Sequence, residues 1–286
     1  LGGQRSDEED AVTNMETFEI IPIRVGEFLF MHKAALTYQV DFMTQMVAPV
    51  IMYLIKGKDK LVLVDTGGGD EEWAKKYHHP IRRPADEAPA AALKKIGVNV
   101  EDIELVVNTH LHWDHCFNNG LFTKAKIYVQ KREMQCAVSP LPTQWTFYET
   151  HQIGMVPQWF KGYERITALE GDFNLFPGID IVTLPGHTPG FQGVVVNTAA
   201  GRCLIASDTL GLFQNWEGIG HFKHIPSGIH YDLVEYYRTF EKMERICDYV
   251  LPGHDPLVFE HKIYPYAELT REFVSRRASA MVASSS

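Results

Sequence analysis

The sequence predicts an α/β fold made of two packed β-sheets with helices on the outside. Three observations predict it. Short β-branched or apolar runs recur through both halves of the chain. Helical patterns with one apolar face separate them. Each segment rich in histidine or aspartate falls directly after a strand-like run, where a rigid scaffold can hold a site on its loops. The chain has 286 residues, 45% hydrophobic and 22% charged, enough for one α/β domain with a substantial core or two small ones.

Taken in order, residues 18–23, 50–55 and 61–64 read as strands, the last two joined through the turn 56–60 as a hairpin. Residues 88–96 read as a helix, with Ala91, Leu93 and Ile96 on its apolar face and Gly97 as its stop. Residues 103–107 form a strand that runs into the first histidine cluster. Strands follow at 126–129, 179–184, 193–197 and 202–206, and the last of these delivers Asp208. Residues 232–246 give the clearest helix. Leu233, Tyr236, Tyr237, Phe240, Met243 and Ile246 recur at the 3-and-4 spacing of one face, and Asp232 with Glu235 resembles a capping box. A final strand at 249–251 precedes His254. Residues 1–15 read as a disordered lead-in and 278–286 as a flexible tail. No linker or repeat interrupts the span between, so 16–277 is expected to be a single domain.

Composition narrows the function. A formal net charge of −9 argues against a protein that binds nucleic acid by neutralising phosphates. No apolar run reaches the length of a membrane span. The polar, acidic start lacks the pattern of a signal peptide. Cys116, Cys136, Cys203 and Cys247 form no C-x-x-C pair and read as reduced core thiols. The expectation is a cytoplasmic protein with a small-molecule partner and neither nucleic acid nor membrane, and a homodimer is compatible with it.

The strongest signal is the segment Thr109-His110-Leu111-His112-Trp113-Asp114-His115, in which four potential metal ligands fall within six residues. Zinc and similar divalent ions take imidazole nitrogen and carboxylate oxygen. In an extended segment His110, His112 and Asp114 share one face, and a tight loop must then turn His115 inward. One ion could take His110 and His112, and a second Asp114 and His115. Further ligands are needed downstream. His187 in a turn rich in glycine and proline, Asp208 at a strand end and His254 after the last strand supply them. A lone histidine or aspartate in a loop is more often a capping residue. Three of them in the same position after a strand are harder to read that way.

This set, His110-x-His112-x-Asp114-His115 followed by His187, Asp208 and His254, resembles the signature of the metallo-β-lactamase superfamily, and Val64-Asp65-Thr66-Gly67 resembles its early strand-and-turn motif. The resemblance implies an αββα four-layer sandwich with two divalent metals at one edge. Zinc is the foremost candidate, and iron, manganese and cobalt are alternatives. It implies that His110, His112 and His187 hold the first metal and that Asp114, His115 and His254 hold the second. Asp208 would bridge them, and Asp65 would orient a ligand histidine from behind. Within the superfamily the chain looks most like the N-acyl homoserine lactone lactonases, enzymes of quorum quenching. It departs from them where they commonly carry a tyrosine three residues after the bridging aspartate: here that position is Gly211. Tyr231 is a candidate replacement.

The function implied is hydrolysis of a lactone by a water whose pKa the two metals lower, with Asp114 and Asp208 as the catalytic carboxylates. A thioester, phosphoester or amide hydrolase on the same site is the alternative, and an iron-dependent dioxygenase is a more distant one. Cys116, beside His115, reads as packing rather than as a nucleophile. Aromatic residues in the irregular stretches 140–163 and 211–224, with Tyr231, suggest an apolar substrate pocket: Trp145, Phe147, Trp159, Phe213, Trp216 and His221. His78 and His79 read as residues at a helix end on the surface.

Overall fold

A computed structural model describes residues 16–271. The lead-in expected over 1–15 and the tail expected over 278–286 lie outside the described residues. The first sheet has seven strands: β1 (Glu19–His32), β2 (Gln45–Lys56), β3 (Leu61–Val64), β4 (Ile81–Arg82), β5 (Leu105–Val107), β6 (Lys126–Gln130) and β7 (Ile166–Leu169), in the order β4-β1-β2-β3-β5-β6-β7. β2 and β3 form the expected hairpin, with Ile55 opposite Val62. From β3 onward the strands run parallel. The second sheet has five: β8 (Phe173–Phe176), β9 (Ile179–Thr183), β10 (Gln192–Thr198), β11 (Gly201–Ser207) and β12 (Tyr249–Pro252), in the order β12-β11-β10-β9-β8.

Side-chain parity shows how the layers stack, because alternate residues of a strand face opposite sides. Val62, Val64, Val107, Ile181, Val194, Val196, Ile205 and Leu251 share one core, between the sheets. Their neighbours Leu63 and Val106 turn outward, to a core shared with Ala74 of α2 (Glu71–Tyr77) and with Ala92 and Leu93 of α3 (Pro89–Lys95). Leu204 and Ala206 turn the other way, toward Tyr236, Phe240 and Met243 of α7 (Leu233–Ile246). The order is helix, sheet, sheet, helix: the four-layer αββα sandwich. The remaining helices are α1 (Lys33–Leu36), α4 (Trp113–Cys116), α5 (Lys131–Val138) and α6 (Phe213–Glu217).

The two helices read from the sequence form, with identifiable ends. α3 starts at Pro89 and stops at Gly97, whose φ of +78° suits glycine. The amide of Gly97 donates to Lys94 O and that of Val98 to Leu93 O, the paired bonds of a Schellman stop. At the start of α7, Asp232 Oδ1 accepts from the amides of Val234 and Glu235. The reciprocal half of a capping box is replaced: the Asp232 amide donates to Gly186 O instead. The cap thus also ties the helix to the loop that carries His187.

Candidate metal centre

Topology brings the strand ends together. β10 is antiparallel to both β9 and β11, and β12 is parallel to β11, so β9, β11 and β12 end at one edge. His187, Asp208 and His254 leave the second sheet there. The 109–115 loop follows β5 of the first sheet. Gln192 joins the two: its amide donates to Thr109 O (2.9 Å), and its Nε2 donates to Asn108 O (2.8 Å) and Tyr128 O (3.0 Å). The loop is extended only as far as His112. It then enters the helical turn α4, so Asp114 and His115 are presented from a turn and not from the extended face expected for Asp114.

All seven candidate ligands are buried and converge. Three groups each place one ligand atom per residue within 4.8 Å of the others: His110, His112 and His187; His110, His115 and Asp208; and Asp114, His115 and His254. The Asp208 carboxylate lies between two sets of imidazoles. Its Oδ1 is 3.0 Å from His254 Nε2 and 3.3 Å from His115 Nε2, while its Oδ2 is 3.5 Å from His187 Nε2. Asp114 Oδ2 is 3.5 Å from His115 Nε2 and 3.6 Å from His254 Nε2. His112 turns its Nδ1 to His187 Nε2, 3.2 Å away.

The far side of each ring fixes its proton. A group that can only accept forces the ring nitrogen beside it to carry hydrogen. His187 Nδ1 donates to Ile229 O (2.7 Å), His254 Nδ1 to Pro49 O (2.8 Å) and His115 Nδ1 to Asp65 Oδ2 (2.8 Å). Thr109 Oγ1 gives its own proton to Asp65 (2.8 Å) and so accepts from His110 Nδ1 (3.1 Å). Four Nε2 lone pairs therefore face inward, toward each other and toward carboxylate oxygens. Among the described residues, the Nε2 atoms of His110 and His115 and Oδ1 of Asp208 are buried with no hydrogen-bond partner. Unpartnered electron pairs at this spacing call for cations, and the donor set of nitrogen and carboxylate oxygen suits divalent metal ions. The residues present fit two of them.

Charge divides the cluster: burial would lower His115 and His254, but the Asp208 and Asp114 carboxylates raise both, so without cations these two rings take up the protons that metal ions would displace. Burial would raise the Asp114 carboxyl, but His115 and His254 hold it at about 2. Asp208 is likewise held well below the carboxylate range by His254 and His115, against burial. Burial and the neighbouring imidazoles push His110 and His112 well down. The site is thus disposed to keep carboxylates charged and those two imidazoles neutral, as ligands must be.

Supporting residues enclose these groups. Asp65 sits in left-handed backbone at φ +61° and accepts from the Thr109 amide (2.7 Å), His115 Nδ1 and Ser207 Oγ (3.2 Å). It joins the ends of β3, β5 and β11. A Cβ on Gly253 would collide with Asp208 Oδ1, so the closeness of β12 to Asp208 requires glycine there. Glu133, buried on α5, binds the loops of His112 and His187. Sequence reasoning missed Glu133, Ser207 and Thr109 as supports. Glu133 lies in the polar run Lys131-Arg132-Glu133, which reads as a solvated helix face and gives no signal.

The expected pocket residues separate. Phe147 lies by the site: its ring is 5.2 Å from that of His112, and its carbonyl accepts from the Trp113 amide (2.9 Å). Trp145 is half-buried in the same loop. Tyr231 is next to the His187 loop, its amide donating to Gly186 O, but its hydroxyl faces Cys136 and Leu141. Trp159 is a core residue, 3% exposed. Phe213 and Trp216 line a different cavity, of about 360 Å³, walled by Tyr249, Leu257 and Tyr264 and by none of the candidate ligands. His221 is exposed against Phe222. His78 also departs from its reading as a surface residue. Its ring stacks on Trp113 at 4.1 Å and its Nε2 is 2.8 Å from buried Glu149. Cys116 is buried, its thiol pushed up by burial and donating to His112 O, which is a packing role.

The position of Gly211 has a structural counterpart. A Cβ there would meet the side chain of Leu36 at 3.1 Å, so α1 fills the space into which a larger residue would project. The neighbouring tyrosine hydroxyls are engaged elsewhere: Tyr148 donates to Glu133 (2.7 Å), and Tyr236 to the carbonyls of Asp208 and Thr209 (3.0 Å each).

Comparison with known proteins adds to this geometry. The family model of the metallo-beta-lactamase superfamily matches residues 47–254, from β2 to the last candidate ligand. The N-acyl homoserine lactonase AiiA of Bacillus thuringiensis subsp. kurstaki is 26% identical over 180 residues, 59% of this chain and 67% of that protein. The N-acyl homoserine lactonase AttM of Azorhizobium caulinodans is 26% identical over 239 residues, 73% of this chain and 82% of that protein. Among solved structures, an N-acyl homoserine lactone hydrolase with N-hexanoyl-L-homoserine at its catalytic metal centre superposes with a TM-score of 0.71. It is 19% identical and covers 88% of this chain and 99% of that one. AidC, a dizinc quorum-quenching lactonase, superposes at 0.60 with 16% identity, covering 85% and 89%.

Proposed function

The chain belongs to the metallo-beta-lactamase superfamily, and from that premise we propose that it is a two-metal hydrolase that opens a lactone of the N-acyl homoserine type. The observation that carries the reading is the Asp208 carboxylate, whose two oxygens face different sets of imidazole lone pairs. His110, His112 and His187 would hold one ion, Asp114, His115 and His254 the other, and Asp208 both. Zinc suits these ligands, and iron, manganese or cobalt would also be accepted. When bound, the two ions supply a lowered pKa for water and polarisation of a carbonyl oxygen.

The chain's own residues do the rest. Asp65, Thr109, Ile229 and Pro49 keep the ring protons outside, so the inward nitrogens remain lone pairs. Asp114 and Asp208 are the charged carboxylates able to take the proton that an attacking water gives up. In the balanced reaction water adds to the carbonyl carbon, the ring C–O bond breaks, and that proton ends on the leaving alkoxide oxygen. Phe147 offers the acyl part of the substrate an apolar surface beside His112.

One observation favours a second reading, hydrolysis of another ester or a thioester. Leu36 stands over Gly211, and Tyr148, Tyr231 and Tyr236 turn their hydroxyls to other partners. A tyrosine contact to the substrate carbonyl is therefore not part of the proposal. A hydrolysis screen of metal-loaded protein decides between them. Ring opening of N-hexanoyl homoserine lactone, followed by acid release and abolished by chelation, is the expected result. Thioester turnover with inert lactones would select the second reading. Oxygen consumption would point to a dioxygenase, and full activity after exhaustive chelation would overturn both hydrolytic readings.

A further inference from the structure

We propose that Glu133 is a positioning residue for one of the two cation sites, setting the spacing between the His110–His112 loop and the His187 loop. The inference rests on the ligand assignment above. α5 is otherwise a surface helix: Lys131, Arg132, Gln135 and Val138 are exposed. Glu133 alone among its charged residues is wholly buried, at 0% exposure. A buried carboxylate is costly unless its oxygens are satisfied. Here four donors satisfy them, and among the described residues no cationic side chain does. Oε1 accepts from the Leu111 amide (3.0 Å) and the Tyr148 hydroxyl (2.7 Å). Oε2 accepts from the Thr188 hydroxyl (2.7 Å) and the Gly190 amide (3.2 Å).

The identity of the donors gives the carboxylate its role. Leu111 lies between His110 and His112, and Thr188 directly follows His187. Tyr148 sets its ring edge-on to His112, 4.7 Å away. One oxygen thus holds the first loop and the other holds the second. The three histidines concerned are one of the convergent groups. A Cβ on Gly190 would run into the backbone of Glu133, so the His187 loop closes on α5 only through glycine. The remaining ligands have separate supports: Asp65 for His115 and Pro49 O for His254. With both oxygens occupied, Glu133 has no free lone pair for a metal or a substrate proton, so its influence passes through its neighbours.

Glu133→Gln keeps the shape but replaces one oxygen by an NH₂ group. The Thr188 hydroxyl can turn to accept from it, whereas the amides of Gly190 and Leu111 cannot. The test is a chelator titration of the zinc-loaded native chain and the variant, read as ions retained per chain. The expected result is selective: the variant releases one ion at about tenfold lower chelator concentration and keeps the other as the native chain does. Unchanged release of both ions overturns the proposal, and so does equal loosening of both in step with a fall in Tm. If Glu133→Gln fails to fold, Thr188→Val removes a single bond to Oε2, and the same selective loss is expected; unchanged release would again refute the inference. A native chain that never takes up two ions contradicts the proposed function itself. A native chain with two ions and an unaltered variant contradicts only the role of Glu133.

Discussion

At the scale of the residue, the account turns on how imidazole protons are held away from the cluster. Asp65 is the clearest case, since it serves His115 directly and His110 through Thr109. Asp65→Ala is expected to weaken metal binding by about 10- to 100-fold, measured by competition with a chelator, because the supported ring loses its orientation. Gly253→Ala places a methyl group against Asp208 Oδ1. Turnover should fall by at least about tenfold while circular dichroism stays native, and an unaffected kcat would contradict the placement of Asp208. The candidate ligands were legible in the sequence because histidine and aspartate in loops after strands carry few other meanings in that number. Their supports were not. Pro49 O and Ile229 O act through backbone that any residue would offer, and Glu133 is spelled like a solvated charge. The aromatic pocket was read poorly for a related reason. Bulk and polarity mark Trp159, Trp216 and Phe147 alike, and only the fold separates core, far cavity and site rim.

At the scale of the element, regular patterns were read well and interrupted ones were not. α7 and α3 declare themselves by apolar spacing and end signals. β1 and β2 run far beyond the expected 18–23 and 50–55. Arg24, Gly26 and Glu27 break the apolar run where the pairing of β1 with β2 shifts register, and the period is lost there. β7 and β8 are four-residue edge strands, partly exposed along their length, and give little pattern. Two predictions belong at this scale. Asp232→Ala removes the α7 cap and should cost about 1 kcal/mol in denaturant unfolding, with metal content unchanged. Glu149 anchors the 140s loop through Trp73 Nε1 (2.7 Å) and His78 Nε2 (2.8 Å), from left-handed backbone at φ +52°. Glu149→Ala should release Phe147 from its place beside His112 and raise KM more than it lowers kcat. A fall in kcat with unchanged KM would show that the loop serves the cations rather than the substrate.

At the scale of the whole molecule, the two sheets meet at the candidate centre, so bound ions would join elements from both. β5 supplies one loop; β9, β11 and β12 supply the others. Ions that bind only the folded chain add stability by mass action, about 3 kcal/mol at a hundredfold excess over Kd. Chelation should therefore lower Tm, and re-addition of zinc should restore it. Among the described residues no helix is long and apolar enough to cross a membrane. The four-layer arrangement was readable from the order of strands and helices, because each sheet must bury two faces and only helices remain to cover the outer ones.

The most direct measurement is the metal content of the purified native chain beside Asp208→Ala, by elemental analysis after equilibrium dialysis against zinc. The account predicts two ions per native chain and no more than one in the variant, since one carboxylate faces both sets of imidazoles. A native chain holding one ion or none, or a variant that still holds two with native affinity, would contradict it.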